Sequence, residues 1–340
     1  MTAGPRQDAA LIAALEAADI HPLWDRYKKI TPVQPAAADG ARVWRWADVA
    51  PFADRAAAEV AAEDVERRAL IMCHPAFGGQ TATTSNLIAA FTVLKPGDKA
   101  RPHRHTAAAI RFSTRAEGAV TFVNGRRCEM HEGDLVLTPP MCWHGHINES
   151  DRQTVWFDAA NIPLINQLDA NFFEPGDRDA NDFWQADEGD ERVWAHAGLV
   201  PAGTAPAPAH SPKYRYPAAA TRAALAAVAP GPDGARAVRY VNPTTGGPVM
   251  ATLDCYAVRL ASGVETRPRR TTWNNVCLVV AGEGRATIGD ATFAWSRHDV
   301  FSVPHWAWAG FTATGGDADL FVVADRPVFE SLSLAHEEMR

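Results

Sequence analysis

The chain has 340 residues, 47% of them apolar and 21% charged, with a formal net charge of -7. That length is too great for one small core and suits two domains with short additions, and the composition is that of an ordinary soluble globular protein. The acidic balance and the lack of a basic patch argue against a nucleic-acid partner. No apolar run is long enough to span a bilayer, so no membrane role is expected. Met1–Asp19 lacks a cationic head followed by an apolar stretch, so no secretory signal is expected. Five scattered cysteines (Cys73, Cys128, Cys142, Cys255 and Cys277) with no CxxC pair point to reduced thiols and a cytoplasmic location.

In chain order, residues 8–18 read as a short helix with Leu11, Ile12 and Leu15 on one face, and residues 53–65, rich in Ala, Glu and Arg, as a second. Residues 1–66 are therefore expected to form an N-terminal helical arm. After Arg67 the pattern changes to short β-rich runs such as ALIMC, FTVL, IRFS, AVTFV and DLVLTPP, punctuated by Gly, Pro and Asn. This rhythm predicts an antiparallel barrel or jelly roll over 67–170. Residues 171–234 read as a linker, Pro-rich over 199–218, with a short helix at 219–228. Strand-like runs return at 237–241, 250–260, 276–280, 285–289, 299–303 and 319–324, and the turn AEGAVTFVNG is echoed by GEGRATIGD. A second barrel over 235–340 follows, related to the first by internal duplication. The expected fold is all-β dominated: two jelly-roll barrels with N-terminal helices and a Pro-rich connection.

The strongest chemical signal is His103-Arg104-His105. Residues two apart on a strand share a face, so both imidazoles project into one interior. Gly97 stands six residues before His103, and a second block, GDLVLTPPMCWHGHIN, carries Gly133, Pro139, His144 and Asn148. These spacings match the two motifs of cupin barrels, G-x5-H-x-H and G-x5-P-x-G-x2-H-x3-N, with Met141 in place of the last glycine. The glutamate that usually follows HxH is replaced at about Ile110, which leaves three neutral histidines, His103, His105 and His144, as the candidate metal ligands. Such a set suits iron, zinc, copper or nickel. It leaves the charge of a dipositive ion uncompensated, which favours an anionic chelate such as a carboxylate with an ortho hydroxyl. His146, two residues past His144, is expected beside the centre as a proton carrier or hydrogen-bond partner; His131 is expected at the surface. Arg111 lies six residues after His105. On one regular strand it would point inward, and with no acid nearby in sequence its expected partner is a substrate carboxylate, the alternative being a salt bridge to a distant acid. Cys142 lies two residues from a ligand and is otherwise expected as a small buried residue.

Taken together these residues resemble the gentisate 1,2-dioxygenase family, which includes salicylate 1,2-dioxygenases. The likeness runs through HPLWDRYKKITPVQP (21–35), WRWADVAPF (44–52), ERRALIMCHPAFGGQ (66–80), HRHTAAAIRF (103–112), FAWSRHDVFSVPHWAW (293–308) and ADRPVFESLSL (324–334). The resemblance implies a bicupin, homotetrameric, with Fe(II) held by His103, His105 and His144. It implies insertion of both atoms of dioxygen and cleavage between the carboxyl-bearing and hydroxyl-bearing carbons of a small aromatic hydroxy acid. It assigns substrate contacts to Arg111 and Arg67, with the adjacent Arg68 as the alternative to Arg67, and a proton role to His146. It implies a metal-free second barrel, where Arg269 and Thr271 stand at the HxH positions, Ala309 stands for the third ligand, and His298 and His305 are at the wrong offsets. Departures matter as well. Ile88 and Thr92 replace a tryptophan and a glutamine that commonly line the family's substrate pocket, and His74-Pro75-Ala76 replaces Asn-Pro-Gly. A reshaped pocket predicts gentisate or a 5-substituted salicylate, with 5-nitrosalicylate, 5-halosalicylates and hydroxynaphthoates as alternatives. Two rivals of other classes remain at this point: a zinc or manganese cupin isomerase or hydrolase, which the missing glutamate weighs against, and a ligand-binding bicupin.

Overall fold

A β-strand whose residues are buried on both faces reads as a continuous apolar run, and this chain has several. In the computed structural model, which describes residues 8–177, 181–185, 191–196 and 198–340, Ile88–Leu94 is buried at every position and Ala109–Arg115 at all but the last. Residues 1–7 of the N-terminal arm and residues 178–180, 186–190 and 197 of the connecting segment lie outside the described residues. Met1–Ala36 forms one unit and Ala37–Arg340 the other. The first unit holds helices Ala9–Glu16 and Leu23–Ile30; Arg26 pairs with Glu16 and the Trp24 indole donates to Asp8.

In the second unit the first barrel is made of two facing sheets. One has six strands in the order Arg215–Tyr216, Leu135–Thr138, Ala109–Arg115, Thr154–Ala160, Ile88–Leu94 and Arg68–Ile71. The other has five, in the order Phe173–Pro175, Lys99–His105, His144–Asn148, Ala119–Val123 and Arg126–Met130. Alternation along the six-stranded sheet divides its side chains. Ala89, Phe91, Val93, Ile110, Phe112, Leu135, Leu137, Val155 and Phe157 face outward into the main core, while Thr92, Arg111, Ser113 and Asp158 face inward. The motif glycines Gly97 and Gly133 adopt φ of 77° and 88°, a left-handed turn that residues with a Cβ resist.

The second barrel is a single nine-stranded sheet curled on itself. Two long strands, Asn275–Ile288 and Ala309–Ala324, pair along most of their length, with register shifts around Ala281 that bend them. Its core contributes Cys255, Ala257, Val276, Leu278, Phe321 and Val323 to the cluster that holds Phe91, Phe112 and Phe157 of the first barrel. The barrels are thus joined face to face by one apolar core, and this explains the doubly buried strands. The fold is all-β in its dominant content, a two-barrel cupin.

The helix expected over 53–65 runs instead from Trp46 to Glu59, with Pro51 inside it. The Trp46 N–H donates to Asp299 at 2.7 Å and its ring meets Phe91 at 4.8 Å, so tertiary contacts start the helix ahead of the proline. Strands at Phe173–Pro175, Arg269–Thr271, Ala291–Ser296 and Glu337–Met339 were not expected from the pattern; Ala291–Ser296 lies at an edge, and the others are too short to show alternation. No helix among the described residues is long and apolar enough to cross a membrane.

Phe321 joins the barrels most directly. Its fully buried ring stacks on Phe112 at 4.3 Å and lies within 6.3 Å of both Phe157 and Tyr240. Phe321→Ala is expected to destabilise the protein by about 3 to 5 kcal/mol in denaturant titration. A loss below about 1 kcal/mol would mean that the barrels do not depend on this contact.

Candidate metal centre

His103 and His105 project from Lys99–His105, and His144 stands on the neighbouring antiparallel strand directly opposite His103. One ring nitrogen from each lies within 4.8 Å of the others, and all three side chains are buried. The backbone fixes which nitrogen faces inward. His103 Nδ1 lies 2.8 Å from the Arg101 carbonyl, His105 Nδ1 2.8 Å from that of Ala107, and His144 Nδ1 2.9 Å from that of Cys142. A carbonyl only accepts, so each Nδ1 carries the proton and each Nε2 presents a lone pair. The Nε2 of His144 is buried without a hydrogen-bond partner, an expensive arrangement unless a ligand satisfies it. Three convergent, neutral imidazole donors of this kind fit a divalent transition ion.

Electrostatics keep these rings neutral. Burial lowers His103 to about 3 and His105 to about 4, with the Arg67 guanidinium adding to both shifts. His144 and His146 are pushed well below the usual range, again chiefly by burial. His146 sits beside His144, with Nδ1 2.9 Å from the Thr121 hydroxyl and Nε2 buried and unpartnered. Of the two adjacent arginines, Arg67 reaches the centre, with Nη1 3.2 Å from His103 Nε2, whereas Arg68 is tied to Asp98 and to the Val60 carbonyl.

Arg111 points inward, but by a different route from the one expected. The chain bends at Thr106–Ala107, so Arg111 lies on Ala109–Arg115 in the opposite sheet and does not continue the strand of His105. Nor does it lack an acid. Asp158, 47 residues away and directly across in the ladder, faces it with 3.5 Å between Nε and Oδ1. Thr138 accepts from Nη1 at 2.7 Å. Burial lowers Arg111 to about 10 against the opposing pull of Asp158, so it remains a cation at neutral pH. Thr92 and the Trp156 indole both donate to Asp158 Oδ2, at 2.5 and 3.0 Å. Thr92 is therefore part of a buried polar network of Arg111, Thr138, Asp158 and Trp156, while Ile88 packs with Ala109 and Ala160 on the same inner wall. Arg111 Nε, Ser113 Oγ and Asp158 Oδ1 are all buried without a hydrogen-bond partner.

Sequence reasoning missed Asp158, Thr121 and Thr138. Their inward position depends on cross-strand register, and only the even spacing of Asp158 from Trp156 and Ala160 hinted at it. It also missed Phe173, whose ring stacks on His103 at 5.3 Å. The Cys142 thiol packs in an apolar cluster with Val136 and Trp156, and only its carbonyl serves the centre. His131 is exposed, 2.7 Å from Glu117. In the second barrel Arg269 faces Ala309 across the ladder, as His103 faces His144 in the first; His298 instead packs edge-on against Trp46.

A cupin domain model matches residues 90–160. The chain is 37% identical over 337 residues to a gentisate 1,2-dioxygenase of a Streptomyces species, covering 96% of this chain and 93% of that one. It is 35% identical over 338 residues to a 5-aminosalicylate 1,2-dioxygenase of a Comamonas species, covering 97% and 89%. The solved salicylate 1,2-dioxygenase of Pseudoaminobacter salicylatoxidans with gentisate superposes with a TM-score of 0.92 at 33% identity, over 100% of this chain and 96% of that one.

The lowered histidines carry a pH signature. In the unfolded chain they titrate near 6.5; in the folded chain His103 and His105 do so at about 3 and 4. Between these limits the unfolded state binds more protons, so their contribution to stability is complete above pH 6.5 and is lost as pH falls toward 4. Metal-free protein is expected to lose on the order of 2 kcal/mol per ring between pH 7 and pH 5. Urea midpoints across that range check this, and a midpoint that does not fall with pH would contradict neutral, buried ligands.

Proposed function

Because the chain belongs to the gentisate 1,2-dioxygenase family, we propose that it is an Fe(II)-dependent ring-cleaving dioxygenase. Its substrate is gentisate or a 5-substituted salicylate, both atoms of dioxygen enter the product, and the bond between the carboxyl-bearing and hydroxyl-bearing carbons breaks. The observation that carries this reading is the set of three buried Nε2 lone pairs of His103, His105 and His144, beside the cations Arg67 and Arg111. Ferrous iron held by those nitrogens supplies chelation of the substrate's carboxylate and hydroxyl and activation of dioxygen.

The protein's own groups do the rest. Arg67 is the freer cation: it is half-buried, and its contact at the centre is to His103. It anchors the substrate carboxylate. Arg111 supports that anchor, with part of its charge balanced by Asp158. His146, whose Nε2 is buried without a hydrogen-bond partner and whose burial keeps the ring neutral, serves as the hydrogen-bond partner of the substrate's phenolic group. Ile88 and Thr92 set the shape of the wall that meets the ring substituent. Thr92, already donating to Asp158, offers a shorter reach than an amide would. The second barrel, with Arg269, Thr271 and Ala309 at the ligand positions, holds no iron and supports the first. Family resemblance and five free cysteines support a cytoplasmic homotetramer.

Dioxygen uptake by anaerobically iron-loaded protein, with gentisate, salicylate and 5-substituted salicylates compared, tests the reading. Uptake accompanied by a ring-cleavage chromophore is expected, and none with any of these acids despite bound iron would overturn it. His103→Ala is expected to abolish iron retention and uptake together. Arg67→Ala and Arg111→Ala are each expected to raise KM by about 10- to 100-fold, the range of one charge-assisted hydrogen bond; an unchanged KM would remove that residue from carboxylate binding. Ile88→Trp with Thr92→Gln is expected to shift the ranking of substrates within the panel, and an unaltered ranking would show that this wall does not select the substituent.

A further inference from the structure

The second barrel holds a cavity of about 180 Å3, partly open to the outside beside Arg269 and Glu337. It lies where the first barrel carries its histidines. Arg269 and Ala309, paired across the ladder as His103 and His144 are, both line it, and so does Thr271. Its walls are largely apolar, formed by Val258, Leu260, Cys277, Val303, Leu320 and Val322. Packed interiors hold few voids larger than a water molecule. A dry, aliphatic-walled space of roughly 150 Å3 accepts a single benzene-sized ring, so this one has the volume for one ring, with polar groups beside its apolar wall.

The lining is also charged in a way that names the other end of a ligand. Among the lining arginines, Arg326 is ion-paired with Glu330 at 2.7 Å and lies 5.1 Å from the Trp273 ring, and Arg267 donates to the Arg340 main-chain oxygen at 3.0 Å; Arg269 is the one held least tightly. Arg269 makes a long contact of 3.5 Å with Glu337, both side chains being more than a third exposed. Glu337 belongs to the C-terminal strand Glu337–Met339, which pairs with Arg269–Thr271. A carboxylate carried on the chain's own end therefore rests on Arg269, and such an exposed, stretched pair is weak.

We propose that the second barrel is a binding site for a single-ring aromatic carboxylate. The ring fills the cavity, and the carboxylate takes the place of Glu337 on Arg269. The site has no metal donor set among its described lining residues and performs no chemistry; it is separate from the centre in the first barrel.

Fluorine NMR of para-fluorobenzoate titrated into the intact protein tests this, because the probe lacks the ortho hydroxyl needed for chelation. Ala309→Phe, which fills the cavity, and Arg269→Gln, which removes the cation, are each expected to weaken binding at least 10-fold. Glu337→Gln, which removes the competing carboxylate, is expected to tighten it several-fold, and Arg67→Ala in the first barrel to leave this binding in place. Binding that disappears in Arg67→Ala, or that persists unchanged in Arg269→Gln, would overturn the proposal, as would no binding at millimolar probe. If Ala309→Phe does not fold, the opposite responses of Arg269→Gln and Glu337→Gln decide the matter. The dioxygen-uptake assay reads the first barrel alone, so failure there is distinguishable from failure here.

Discussion

Each imidazole at the first barrel's centre has one nitrogen committed to a backbone carbonyl: His103 to Arg101, His105 to Ala107 and His144 to Cys142. All three bonds are made by Nδ1. They fix the tautomer, set the plane of each ring and turn each Nε2 toward a common point. The carbonyls belong to the same strands, or to the bends at their ends, so the barrel's backbone is itself the orienting layer. Donors held by backbone are more rigid than donors held by long side chains, and a metal centre needs that rigidity. Without the motif glutamate the set is electrically neutral, and in the proposed function the substrate's own anion would complete the charge.

A second constraint follows from where the centre sits. The six-stranded sheet has one face in the core shared with the second barrel and the other facing the histidines. Polar groups on that inner face are largely cut off from bulk water and pair with one another. Arg111, Asp158, Thr92, Thr138 and Trp156 do so. Arg111 Nε and Asp158 Oδ1 face each other at 3.5 Å, while Ser113 Oγ and the Nε2 atoms of His144 and His146 are buried without a hydrogen-bond partner.

Much of this was legible in the sequence because it rests on short-range periodicity. HxH on a strand, the spacing to His144 and the inward turn of His146 need only the two-residue repeat and a pair of glycine turns, and the second barrel announced itself through repeated turn chemistry. What was not legible depends on register between distant strands. Arg111 was expected inward on the strand of His105 and reaches the interior from the opposite sheet, because Thr106–Ala107 bends the chain. Asp158 was invisible as its partner, since only the ladder between Ala109–Arg115 and Thr154–Ala160 brings them face to face. The helix start at Trp46, ahead of a proline, likewise depends on Asp299 from far along the chain. Local pattern therefore brought out the three clustered histidines and the fold class, while long-range pairing decided which charges those histidines meet.

In the proposed function this neutral three-histidine centre directs both atoms of dioxygen into an aromatic hydroxy acid. Single-turnover reaction of iron-loaded protein under heavy-isotope dioxygen, with mass spectrometry of the ring-opened product, tests it most directly. Two labelled oxygen atoms per product molecule are predicted. A product carrying one labelled atom or none would contradict the claim and point to hydroxylation or to non-oxidative chemistry on the same scaffold.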